Sequence, residues 1–174
     1  QLAVEVPTIE NGGVSEDGLT VTYHLRDDVL WSDGVPFTCE DVEFTWQAIT
    51  NPEGGSVIAS NLRDIESVTC PDDNTVVVQY SQFYAPFLRN FMTVVPKHAT
   101  GDPANMTSWE YNWMPVGTGP FKLQEWIPGD RMVYVKNENY RDYPEKPYLD
   151  RVILRIIESR EVGKALITSG EIHG

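Results

Sequence analysis

The chain has 174 residues, of which 41% are hydrophobic, and it carries a formal net charge of −13 at pH 7. This apolar content is enough to build a packed core, which argues against intrinsic disorder. The excess of acidic side chains argues against nucleic acid and anionic membrane surfaces as partners, because both are bound through basic faces.

The first half of the chain predicts one strand, one helix and one β-hairpin. Leu19–Leu25 alternates apolar and polar residues, which is typical of a half-buried strand. A helix is expected from about Thr38 to Ile49, because a threonine followed three residues later by an aspartate is a capping pattern. Asp64–Thr69 and Thr75–Tyr80 then predict two strands joined by a loop of four or five residues.

The second half predicts a short helix, a further hairpin, one more strand and a final helix. Arg151–Ile157 is apolar on both faces, so this strand is expected in the centre of a sheet. Gly170 stands where glycine commonly ends a helix. The expected elements are a helix at Phe83–Phe91, an extended segment at Met92–Val95, strands at Phe121–Trp126, Met132–Lys136 and Arg151–Ile157, and a helix at Glu161–Ser169. Together the elements predict an α+β fold.

No pattern of catalytic residues is visible in the sequence. Gly117–Pro120 is similar to a phosphate-binding loop, but the lysine and the following helix are missing, so a turn before a strand is the preferred interpretation. Asp72–Asn74 is better explained as a hairpin turn than as a calcium loop. The three histidines have no ligand spacing. We therefore expect no catalytic residue, no metal and no cofactor.

Cys39 and Cys70 are the only two cysteines. A disulfide between them is the favoured interpretation, because the rest of the chain argues for an oxidising compartment. Two unrelated buried thiols are the alternative.

Three large aromatic residues, Trp109, Tyr111 and Trp113, fall in a stretch that is expected to be irregular. They could form the floor of a ligand cleft or pack beneath a long loop. The sequence leaves both interpretations open.

Four sequence blocks, in order along nearly the whole chain, resemble the family 5 extracellular solute-binding proteins. These are the peptide, oligopeptide and nickel receptors of ABC importers. The blocks are Asp17–Thr20 with Tyr23–Arg26, Trp31–Gly34 through Asp41–Val42 with Phe44, Val116–Leu123, and Asn137–Tyr140 followed by Lys146–Asp150 and Ser169–Ile172. The chain departs from the family pattern at Cys39, where alanine is common, at Arg141, where tryptophan is common, and at His173, where aspartate is usual.

This resemblance implies that residues 1–174 are a single partial lobe of a two-lobed, periplasmic-binding-protein-like fold. The lobe would contain a mixed sheet with β-hairpins and a few helices, and the second lobe and the N-terminal signal region would be absent. Its implied mechanism is hinge closure around a peptide or another small solute, followed by presentation to the ABC permease, with no covalent chemistry. A monomer outside the cytoplasm is implied, either in the periplasm or as a lipoprotein on the outer face of the cell membrane.

The resemblance also implies which segments face the solute, namely the loop Ser56–Leu62 and the strand at Phe91–Val94. The expected ligand-binding residues are Ser56, Asn61, Met92 and Thr93, and ordinary loop or core positions are the alternative for each. A ligand-sensing module of a signalling protein built on the same lobe is the alternative function. A hydrolase would need a catalytic residue that the sequence does not show.

Overall fold

The computed structural model describes residues 2–173, and its strands form two three-stranded sheets. All pairings are antiparallel, so the α+β class is confirmed and the expected mixed sheet is not found among the described residues. The first sheet has the order β1-β3-β2 and the second the order β4-β5-β6. The strands are β1 (Thr20–His24), β2 (Ile65–Asp72), β3 (Thr75–Tyr80), β4 (Phe121–Ile127), β5 (Arg131–Lys136) and β6 (Arg151–Arg155). The two α-helices are α1 (Cys39–Thr50) and α2 (Arg160–Ser169), and short 3₁₀ turns occupy several connections.

Helix α1 begins where the capping pattern predicts, with Thr38 as its N-cap residue. The Asp41 carboxylate accepts a hydrogen bond from the Thr38 backbone N–H at 3.0 Å, which satisfies a donor that the first helical turn leaves without an intrahelical partner. One side of the helix contributes Val42 and Ile49 to the main core against the first sheet. The opposite side contributes to a second, smaller core with the irregular segment that follows residue 95. Helix α1 therefore lies between the first sheet and that segment.

The hairpin of β2 and β3 is tighter than the sequence predicts. Strand β2 continues to Asp72, so only Asp73 and Asn74 connect it to β3, and the register is irregular between Thr69 and Asp72. The bulged end of β2 carries Cys70, which forms a disulfide with Cys39 at the start of α1. This bond joins the helix to the sheet at the end where the helix begins.

Two element predictions are wrong. Phe83–Phe91 forms only one 3₁₀ turn, Phe87–Arg89, because the chain turns out of a helical path at Asn90 and Phe91. Among residues 2–173, strand β6 pairs with β5 alone and lies at the edge of the three-stranded sheet, with Ile153 and Leu154 each about half exposed. Apolar residues on both faces of a strand indicate that its faces are to be covered, and they carry no information about how many strands flank it.

The predicted extended segment at Met92–Val95 forms no strand, and the remaining predicted strands and helices are confirmed. The hairpin of β4 and β5 turns at the expected Pro128–Asp130. Helix α2 begins at the Ser159 cap, whose Oγ accepts from the Val162 N–H at 3.4 Å. It ends at Gly170, whose φ of 75° lies in the left-handed region that glycine adopts without steric cost. Neither α1 nor α2, the α-helices of the part of the chain that the structure describes, is long and apolar enough to cross a membrane.

Candidate functional site

The segment from Asn90 to Lys97 is attached at both of its ends, to β3 at the start and to α1 at the end. At its start the Asn90 side-chain amide donates to the Tyr80 hydroxyl at 2.9 Å. At its end the Val95 N–H donates to Thr45 Oγ1 and the Lys97 N–H donates to the Asp41 carboxylate, both at 2.9 Å. Between these attachments the chain has no strand or helix, so its conformation depends on contacts with α1 and β3.

An apolar cavity of about 370 Å³ lies beneath this segment. Its floor consists of core side chains, including Phe37, Val42 and Val76, which are at most 4% exposed. Its rim includes Leu88 and Met92, which are 53% and 83% exposed. Ligand pockets of this size are usually lined by apolar side chains with a few placed polar groups, and this cavity has that character.

Of the four predicted ligand-binding residues, only Met92 lines this cavity. Thr93 follows it and is exposed, in irregular chain rather than in the predicted strand. Ser56 and Asn61 lie in the loop that precedes β2, where Asn61 belongs to the 3₁₀ turn Ala59–Leu62. The structure describes no contact that joins Ser56 or Asn61 to Met92, so the proposed roles of all four residues stay predictions.

Phe91 adopts a backbone conformation that is unusual for an aromatic residue. Its φ is 55°, and it is the only residue other than glycine with positive φ in residues 2–173. Such a conformation costs energy and persists only where the surroundings fix it. It turns the chain so that Phe91 and Met92 both line the cavity. Sequence reasoning missed Leu88 and Asn90. It included Phe91 in a segment expected to face the solute, but no local pattern predicts the left-handed conformation of this phenylalanine.

Two tyrosines at the cavity have raised pKa values: Tyr23, which is partly buried and lines the cavity, and Tyr80, which is buried. Burial raises the pKa of Tyr23, and the nearby Tyr80 adds to the effect. Burial also raises the pKa of Tyr80, although the hydrogen bond from Asn90 opposes it. The Tyr23 hydroxyl donates to the Phe87 carbonyl oxygen at 3.2 Å, a bond that needs the neutral phenol.

These shifts predict a loss of stability at alkaline pH. A tyrosine whose pKa in the folded state lies above its unfolded value of about 10 stabilises the folded state. This contribution is complete below about pH 10 and is lost as the pH rises further. We expect the free energy of unfolding, measured with urea, to fall above about pH 10, and the substitution Tyr23→Phe to reduce the fall. Tyr148→Phe, at a residue that is 85% exposed, is the control and should leave the fall unchanged. A fall that is equally steep in the Tyr23 variant would contradict the assignment.

The turn at Trp31–Gly34 joins the two sheets. The Asn139 side chain donates to the Ser32 carbonyl oxygen at 3.1 Å, and the Gly117 N–H donates to the Ser32 hydroxyl at 3.3 Å. Asn137 is fully buried, and its side chain donates to the Gly119 carbonyl oxygen at 2.8 Å. Three of the sequence blocks that carry the family resemblance therefore lie in contact, and the hydrogen bonds between them hold the fold together.

The same turn is joined to His98, the residue that follows the Asn90–Lys97 segment, by a hydrogen bond between side chains. His98 Nε2 lies 2.7 Å from the Asp33 carboxylate, and the His98 ring packs edge-on against Trp31. Burial by itself would raise the pKa of Asp33. The His98 contact and the hydrogen bond from the Val35 N–H outweigh burial and hold the pKa below its ordinary value. This junction therefore positions the chain that follows the cavity.

Two of the three aromatic residues for which two interpretations were open, Trp109 and Tyr111, pack in the smaller core. Trp109 is buried against Phe44 on α1, and its indole N–H donates to the Asp102 carbonyl oxygen at 2.9 Å. The Tyr111 hydroxyl donates to the Val116 carbonyl oxygen. Trp113 is 60% exposed and lies against Trp126 of β4. None of the three lines the cavity beside Met92.

Within residues 2–173 no group of three or more His, Cys, Asp or Glu side chains is placed to hold a metal ion.

Solved structures share this fold over nearly the whole chain. NikZ from Campylobacter jejuni, in complex with Ni(L-His), matches with a TM-score of 0.86 and 33% identity, covering 99% of this chain and 33% of NikZ. The oligopeptide-binding protein AppA from Bacillus subtilis, in complex with a nonapeptide, matches with a TM-score of 0.87 and 25% identity over 99% of this chain and 34% of AppA. The family fold that the sequence predicts is confirmed by these matches.

Sequence comparison gives the same family. Protein XP55 of Streptomyces lividans is 31% identical over 92% of this chain and 29% of its own length. The chain thus spans about a third of the length of the curated relatives that it matches. The model of the bacterial extracellular solute-binding proteins, family 5, matches residues 6–174. The chain therefore belongs to the bacterial extracellular solute-binding proteins, family 5.

Proposed function

We propose that this chain is a solute-binding part of an ABC importer receptor, with a peptide or a similar small molecule as its solute. The observation that carries the proposal is the family match over residues 6–174. Relatives with the same fold bind a nonapeptide and Ni(L-His), so the fold accommodates small polar solutes of more than one kind. The cavity beside Met92, with an exposed rim on a segment held at both ends, is a surface where such a solute could make contact.

The proposed mechanism is hinge closure without covalent chemistry. The chain supplies one face of the site, and a second lobe outside these residues closes over the solute and presents it to a membrane permease. Exposed apolar side chains on β6 and α2, including Leu154 and Ile167, support the view that this chain is part of a larger folded body. The Cys39–Cys70 disulfide supports a location outside the cytoplasm, where such bonds persist. A monomer with no cofactor is part of the same proposal.

Calorimetry with the tripeptide Ala-Leu-Ala tests this function. We expect the 174-residue chain alone to fold and to bind weakly or not at all, and a longer protein that contains the second lobe to bind the tripeptide in the micromolar range or tighter. Closure should be visible as a smaller radius of gyration in small-angle scattering when the tripeptide is added. Micromolar binding by the 174-residue chain alone would contradict the two-lobe mechanism. No binding of peptides by the longer protein would contradict the peptide solute.

A further inference from the structure

We propose that the outer edge of β6, together with α2, is a docking surface for a further strand of the same polypeptide, which lies outside residues 1–174 and runs parallel to β6. This inference follows from the family membership and does not depend on which solute is bound. It is carried by the hydrogen-bonding groups of β6, by the exposure of β6 and α2, and by their order along the chain.

The backbone N–H groups of β6 alternate between the two sides of the strand. The Ile156 N–H donates at 2.8 Å to the carbonyl oxygen of the residue just before β5. Bonded and non-bonded positions alternate in an antiparallel pair, so the N–H groups of Val152 and Leu154 also face β5. Those of Ile153 and Arg155 face away from β5, and no strand among residues 2–173 pairs with that side.

Strand β6 has little that protects an exposed edge. Edges that stay in water are commonly protected by proline, by a bulge or by charges along the strand. Strand β6 contains no proline, pairs with β5 in unbroken register, and carries its two charges only at its ends, with Val152–Leu154 apolar between them. Ile153 and Leu154 point to opposite faces of the sheet and are each about half exposed. These are the properties of a strand that another strand covers.

Helix α2 also lacks part of its packing within residues 2–173. Val162, Ala165 and Leu166 form an apolar stripe at spacings of three and four. No residue of the helix is buried, and Val162 is 50% exposed. A helix normally buries such a stripe against a sheet or another helix. The surface that α2 requires is therefore larger than the one that the described residues provide.

The order of β6 and α2 indicates the direction of the covering strand. Four residues, 156–159, connect them, which is a typical length between a strand and the helix that folds back along its sheet. The ten residues of α2 rise about 15 Å and the five residues of β6 span about 17 Å, so the helix is long enough to return the chain along the strand. A strand and a helix in this order begin a βαβ unit, whose strands are parallel. The second sheet would then be mixed.

The remaining polypeptide is the occupant that the comparisons favour. The chain covers 33% of NikZ and 29% of protein XP55, so most of each protein lies outside the matched part. A polypeptide of that length supplies the strand within the same molecule. A second copy of this chain is the alternative occupant, and its pairing edge to edge would give a dimer.

Hydrogen exchange with single-residue readout tests the surface in a longer protein that contains the remaining polypeptide. We expect all four amides from Val152 to Arg155 to be protected, and those of Ile153 and Arg155 to exchange at least about a hundredfold more slowly than in the unfolded protein. The amides of Val152 and Leu154, which face β5, are internal controls.

Photocrosslinking identifies the occupant and its direction. The photoreactive amino acid p-benzoylphenylalanine in place of Arg151 should crosslink to a peptide outside residues 1–174. In place of Arg155 it should crosslink to a position further along the same strand, because parallel strands advance together. Both arginines are exposed, so neither replacement removes a packed side chain.

Rapid exchange of Ile153 and Arg155 beside protected Val152 and Leu154 would overturn the docking surface, because the edge would then be open to water. Protection that is lost on dilution to a monomer would also overturn it, because a second copy would be the occupant. Crosslinks in the reverse order would refute the parallel direction.

These outcomes are independent of the calorimetry. A longer protein that binds the tripeptide and shows alternating exchange along β6 refutes the docking surface alone. A longer protein with four protected amides that binds no peptide refutes the peptide solute alone.

Discussion

Removing the disulfide between Cys39 and Cys70 should lower the free energy of unfolding by about 3.5 kcal/mol in the chain-entropy model. The bond closes a loop with a sequence separation of 31 and joins the first residue of α1 to the bulged end of β2. Without it the unfolded chain gains conformational freedom, while the folded state loses only this connection. We expect the double substitution to alanine at both cysteines to show the loss in urea unfolding followed by circular dichroism.

The reductant provides the matched control for this prediction. Wild-type protein treated with reductant should unfold at the same urea concentration as the double alanine variant, and the variant itself should not respond to reductant. A wild-type protein whose unfolding is identical with and without reductant would show that the bond contributes nothing to stability.

Sequence reasoning succeeded where a structural feature depends on residues close together in the chain. The start of α1 depends on Thr38 and Asp41, three residues apart, and the end of α2 depends on Gly170 alone. The hairpin of β4 and β5 depends on the turn at Pro128–Asp130 between two apolar segments. Each signal is local, so the printed sequence contains all that is needed to predict it.

The predictions failed where distant contacts decide. The stretch at Phe83–Phe91 has apolar residues at a helical spacing, but the hydrogen bonds from Tyr23 to Phe87 and from Asn90 to Tyr80 hold it in another path. Both bonds join residues that are ten or more positions apart. Tertiary contacts overrule local propensity in such cases.

The candidate site could be predicted only in part. The family resemblance directed attention to Met92, which does line the cavity. The other walls of the cavity come from the N-terminal segment, β1, α1 and β3. No pattern in the sequence predicts that these elements leave a space between them. The same holds for Asp41, whose capping role is visible in the sequence but whose contacts with Trp31 and Lys97 are not.

Replacing Asp41 with alanine should cost about 3 kcal/mol of stability, because three buried or half-buried donors would lose their acceptor. The Asp41 carboxylate is 4% exposed and accepts from the Trp31 indole N–H at 3.0 Å, from the Thr38 N–H at 3.0 Å and from the Lys97 N–H at 2.9 Å. It thus holds together the turn before α1, the helix start and the end of the segment that carries Met92. Urea unfolding measures the total loss.

Hydrogen exchange separates the role of Asp41 in positioning that segment from its role in capping. In the Asp41→Ala variant the amide of Lys97 should lose its protection more than the amides of β4 and β5, because only the first depends on the carboxylate. Glu40→Ala is the matched control: its carboxylate is exposed and pairs with the Lys97 ammonium, so its removal should cost less than about 0.5 kcal/mol. If the Asp41 variant were as stable as the Glu40 variant, the three bonds would contribute no net stability. If the Lys97 amide stayed protected in the Asp41→Ala variant, Asp41 would cap α1 without positioning the Asn90–Lys97 segment. The contacts of Thr45 and Asn90 would then hold that segment in place.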